Sequence, residues 1–85
     1  MKKVIMLRSN AKRLEPVLRV GKGGISKSLI EELKKVLNKR KLVKIKLLKS
    51  SFEGREKDLL ARQLSEETSS EIIEIVGNTV VLHKK

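Results

Sequence analysis

Gly21, Gly23 and Gly24 surround Lys22 in "PVLRVGKGGISKSLIEEL", residues 16–33, where a short apolar run meets a loop that opens into an amphipathic pattern. The chemistry open to such a loop is anion binding. Glycines remove the side chains that hold a phosphate off the backbone, and a helix N-terminus just beyond presents unbonded N–H groups and a favourable dipole. Three phosphate-binding templates compete. A P-loop, G-x-x-x-x-G-K-[ST], fails because no suitable residue precedes the Gly21–Lys22 pair. A dinucleotide fingerprint, G-x-G-x-x-G, finds Gly21 and Gly23 but has Ser26 in its third place, and residues 39–50 offer no acid for a ribose. The third, the GxxG loop of KH-type modules, is met by Gly21, Lys22, Gly23 and Gly24 and lets a nucleic-acid backbone pass close by. Its plainer alternative is a tight turn needing positive φ.

Catalytic groups are scarce. His83 is the sole histidine, placed by pattern in a strand as an exposed or edge residue. Glu31 and Glu32 are adjacent on a helix and share no face, Glu53, Glu56 and Asp58 complement a helix dipole, and Glu66 and Glu67 fall on a surface. No metal-ligand cluster or nucleophile–base pair is visible, so the chain reads as no enzyme, with no cofactor and no small-molecule substrate.

Charge points the same way as the loop. The chain of 85 residues carries a net charge of +11, and it is segregated: residues 1–50 hold 16 Lys or Arg against three acids, a net +13, whereas residues 51–85 hold five against seven, a net −2. Solubility alone does not require such segregation, and a field of this sign attracts polyanions. Phe52 is the only aromatic residue, so the stacking platforms that read single-stranded bases cannot be built. Affinity must then come from phosphates, which favours structured RNA recognised by shape and charge.

The elements that position these groups follow from periodicity. Val4, Leu7, Ala11 and Leu14 predict a helix over about residues 3–14, ended by Pro16, and residues 16–20 a brief strand. Ser26 is an N-cap flanked by the staple Ile25 and Ile30, so a helix should run to about Lys39, burying Leu29, Ile30, Leu33, Val36 and Leu37 and turning Lys27, Glu31, Lys34, Lys35 and Asn38 outward. In residues 42–50 Val43, Ile45 and Leu47 alternate with Lys44, Lys46 and Leu48 as in a strand with one buried face. A further helix over about residues 56–68 should bury Leu59, Leu60 and Leu64, and Gly77–Asn78 separates two β-branched runs as a hairpin turn. The order α-β-α-β-α-β-β predicts a two-layer or sandwich-like α/β domain with a four-stranded mixed sheet and three helices. Residues 1–85 make one domain, without cysteine and without an apolar run near the roughly 20 residues needed to span a bilayer. A soluble cytoplasmic monomer with no membrane partner is expected.

Over nearly its whole length the chain resembles the CRM domain, the module of chloroplast RNA splicing and ribosome maturation proteins whose free-standing prokaryotic form is YhbY-like. The resemblance is carried by "LRSNAKRLEPVLRVGKGGIS", "LVKIKLL" and "EIIEIVGNTVVLHKK". It implies a fold similar to the C-terminal domain of translation initiation factor three, RNA binding through Gly21, Lys22, Gly23 and Gly24, and precursors of the large ribosomal subunit as partners. Ser69 departs from the glycine the family often carries after its last helix, which bears on the helix stop. Arg19, Lys27 and Lys34 beside the loop, extended by Arg8, Lys12 and Arg13, are the expected RNA contacts, with Lys44 and Lys46 in second rank. The rival readings are a permanent ribosome-associated structural protein and, more distantly, a phosphate- or nucleotide-binding enzyme.

Overall fold

Strand β1, Leu18–Val20, follows Pro16 directly, and Val17 already donates its N–H to the Lys44 carbonyl at 2.9 Å. In the computed structural model residues 14–21, 24–49 and 57–85 are described; the helix expected over residues 3–14 falls on residues 1–13, outside them. Among the described residues the sheet therefore carries two helices rather than three.

Helix α1, Lys27–Arg40, begins where the cap predicts. Ser26 is extended, and its hydroxyl accepts from the Leu29 N–H at 3.1 Å, an arrangement that contributes about 1 kcal/mol to a helix start. Ile30, Leu33 and Leu37 are buried, with Leu29 and Val36 packed partly against the same core. Leu33 is wholly buried, so truncation to alanine would cost about 2–5 kcal/mol. The helix ends at Lys41, whose φ of 68° is left-handed and whose N–H returns to the Leu37 carbonyl.

Strand β2, Leu42–Leu47, shows the expected alternation: Val43, Ile45 and Leu47 are buried, Lys44 is half-buried and Lys46 exposed. Helix α2, Lys57–Glu67, corrects one expectation, because Leu59 is 56% exposed and Ala61 takes its place beside Leu60 and Leu64. The stripe 60, 61, 64 and 68 is the helical face that meets the sheet, and Leu59 lies about 100° around the axis from Leu60.

Strands β3, Ser70–Val76, and β4, Thr79–Lys84, form the antiparallel hairpin around Gly77–Asn78. The sheet order is β1-β2-β4-β3, with β1 and β2 parallel and β4 antiparallel to both of its neighbours. The last strand thus sits between the second and third. One face carries both helices over the main core, which includes Val20, Leu33, Ile45, Leu47, Leu64 and Leu82. On the other face a register shift between Ile72 and Glu74 turns Ile73 towards Val81 and Leu42.

Candidate nucleic-acid interface

The glycine loop closes on itself. Gly24 donates its N–H to the Gly21 carbonyl at 2.9 Å, and Gly24 has φ +68°, a conformation that L side chains adopt at a cost. A Cβ on Gly21 would meet only Leu48 Cδ1 at an ordinary 3.8 Å, and one on Gly24 would meet no protein atom within 4 Å. Close packing thus explains neither glycine; both keep the space in front of the backbone open. Lys22 and Gly23, the tip, lie outside the described residues.

The loop is braced from behind. Leu48 donates its N–H to Val20, and Leu47 to the carbonyl of Asn78 in the hairpin turn. Lys57 Nζ, at the start of α2, donates to the Gly77 carbonyl at 3.0 Å and to Asn78 Oδ1 at 3.3 Å. The loop, the hairpin turn, exposed Lys49 and the first turns of both helices therefore gather at one end of the sheet. No spacing in the sequence announces Lys49, since strand pairing alone brings it there.

Lys27 and Lys34 are brought together along α1, where both line a cavity of about 340 Å³ against Gln63 and Glu67 of α2. The surface is less uniform than expected: Glu31 and Glu67 face the same cavity and balance the two lysines, and Gln63 Nε2 donates to Glu67 Oε2 at 3.2 Å.

Arg19 is separated from this group. It lies between Leu18 and Val20, which pack into the main core, so alternation sends its side chain to the opposite face. There it pairs in register with Lys46, with Lys44 further along the same face of β2. Arg19, Lys44 and Lys46 thus form a second basic strip, on the face away from the helices. Arg8, Lys12 and Arg13 lie outside the described residues.

His83 is corrected from an edge position to an interior strand, since β4 is paired on both sides. Its Nδ1 stands 3.6 Å from Glu71 Oε1 across the β3–β4 ladder, and this ring nitrogen makes no hydrogen bond. A half-buried imidazole beside one carboxylate, with no nucleophile in the pairing, has the place of a sheet residue.

No helix among the described residues is long and apolar enough to cross a membrane. The sequence is 35% identical over 79 residues to probable RNA-binding protein YqeI of Bacillus subtilis, covering 93% of this chain and 80% of that protein. It is also 35% identical over 79 residues to a probable RNA-binding protein of Methanocaldococcus jannaschii, again 93% of this chain but 58% of that longer relative. A hypothetical protein of Staphylococcus aureus, solved in solution, superposes with a TM-score of 0.82 at 34% identity, over 99% of this chain and 85% of its own. The profile of the CRS1 / YhbY (CRM) domain matches residues 1–84, and the chain belongs to that family.

Proposed function

We propose that the protein binds structured RNA as a single domain, with the RNA backbone passing over Gly21–Gly24, and that it serves as an accessory factor in assembly of the large ribosomal subunit. The observation that carries this reading is the open glycine turn set before the N-terminus of α1, inside the half of the chain that holds a net +13. The names of its Bacillus and Methanocaldococcus relatives support RNA as the partner. Lys22 and Lys27 meet phosphates at the loop, Lys34 continues along α1, and Arg19 reaches the backbone from the opposite face. Arg8, Lys12 and Arg13 extend the contact. With one aromatic residue in the chain the protein cannot stack a run of bases, so it reads shape and charge and does no chemistry of its own.

The test is binding of the wild type and of Lys22→Glu to a structured RNA, duplex DNA and ATP over a salt series. RNA binding should weaken with salt at a log–log slope of about 0.7–0.9 per neutralised phosphate, and ATP should not saturate the protein. A variant that binds RNA like the wild type at every salt concentration sinks the loop reading. Cosedimentation with precursor subunits, released at moderate salt, is expected of an assembly factor; cosedimentation only with mature ribosomes favours the structural role.

A further inference from the structure

A second cavity, of about 300 Å³, opens at the far end of α1 from the glycine loop. It shares Lys34 with the first cavity, but Lys84 and Lys85 join it here, with Asn38, Thr68 and Ser69 beside them. Among the described residues no acidic side chain lines it. The first cavity balances two lysines with two glutamates, whereas three lysines and no acidic side chain line this one, so its potential favours an anion.

One of the three lysines, Lys84, is held in place. Lys84 donates its N–H to the Lys41 carbonyl at 2.8 Å, which fixes the end of β4 against the end of α1. Its ammonium gives one proton to Asn38 Oδ1, and the other two remain for a ligand. Capping of helix α2 does not require these cations, because the turn after the helix does that work itself. Thr68 donates both its N–H and its hydroxyl to the Leu64 carbonyl, and Ser69 its N–H to Glu66. With the Thr68 proton so committed, the 2.7 Å contact between Thr68 Oγ1 and Ser70 Oγ must be donated by Ser70. Ser65 in turn donates to the Ser70 carbonyl.

None of these bonds uses the Ser69 hydroxyl. Ser69 has φ +52°, left-handed backbone that costs an L residue roughly 1–2 kcal/mol and that a glycine would adopt freely. A serine kept in a glycine's conformation at the lining of a cavity with three lysines suits a ligand that accepts hydrogen bonds. Ammonium point charges together with a hydroxyl donor suit a phosphate.

We propose that this cavity receives a backbone phosphate of the same RNA, a second anchorage about 16 Å along α1 from Lys27 at ~1.5 Å per residue. The proposal rests on the RNA-binding reading above, and its test separates the two. Wild type, Lys22→Glu, the double variant Lys84→Gln/Lys85→Gln, and a charge-matched control Lys35→Gln/Lys39→Gln on the outer surface of α1 are titrated with one structured RNA across salt. The Lys84/Lys85 variant should bind about fivefold more weakly, with the log–log slope reduced by about 0.7–0.9, and the control should lose clearly less. Ser69→Gly guards against a folding artefact: it should melt at a higher temperature yet bind RNA about threefold more weakly, the loss of one hydrogen bond. If Lys22→Glu is weak while the Lys84/Lys85 and Ser69 variants match the wild type, the second anchorage is overturned and the loop reading stands. A control that loses as much as the Lys84/Lys85 variant also overturns it, as does saturable binding of inorganic phosphate there without any effect on RNA. If the wild type binds no RNA at all, the preceding reading fails first.

Discussion

The two ends of the sheet solve the same backbone problem with opposite residues. At the loop end the left-handed positions are Gly24 and Gly77; at the other end, among the described residues, they are Lys41 and Ser69. Of these four, Gly24 belongs to the loop over which we propose the RNA backbone passes, and Ser69 lines the proposed phosphate cavity, whereas Gly77 and Lys41 serve a turn and a helix end. On the proposed reading the loop end gives access and the far end gives donors, and Gly77 and Lys41 are the internal controls for that division.

The largest effect should come from disabling both ends together. Lys22→Glu combined with Lys84→Gln/Lys85→Gln is expected to weaken RNA binding about 50-fold or more and to lower the salt slope by about 1.4–1.8, because sites this far apart add. A combined variant no weaker than Lys22→Glu alone, measured by fluorescence anisotropy, would mean that the ends do not hold one RNA. Next, valine at each left-handed glycine separates access from conformation. Gly24→Val and Gly77→Val should each cost about 1–2 kcal/mol, or ~4–16 °C in melting temperature, but only the first should also lose RNA affinity. Equal RNA binding by both variants would remove the special role given to the loop.

Removing the cap comes third. Ser26→Ala should destabilise by about 1 kcal/mol in a denaturant titration, through the bond to Leu29. Smallest is the pair at the far end. Lys41→Gly and Ser69→Gly should each gain about 0.5 kcal/mol, the relief of left-handed strain less the entropy that glycine adds to the unfolded chain. Only Ser69→Gly should bind RNA less well, since Lys41 does not line the cavity.

What was legible in the sequence was local. The Ser26 cap, the stripe through Ile30, Leu33 and Leu37, the alternation of β2 and the Gly77–Asn78 turn each depend on neighbours a few residues apart, and each stands as expected. Leu59 misled because three leucines in residues 59–64 suggest one apolar face, whereas small Ala61 permits the close approach. Arg19 stands beside the loop in the chain, yet its alternation with Leu18 and Val20 carries the signal for the opposite face. His83 and the lysine cavity depend on strand order, which no local pattern encodes. Lys34, Leu37 and Asn38 meet residues 68–69 and 84–85 only because β4 lies between β2 and β3.

That insertion also orders events during synthesis. Until residues 79–84 have been made, β2 lacks its antiparallel partner, β3 has no neighbour in the sheet, and the Leu47 N–H lacks the Asn78 carbonyl that closes the loop end. A nascent chain can form the β1–α1–β2 unit early, but the wider sheet waits for a pairing between distant segments, a slow kind of contact. Premature termination before Thr79 would therefore release a strongly basic fragment with a glycine loop and no finished scaffold behind it.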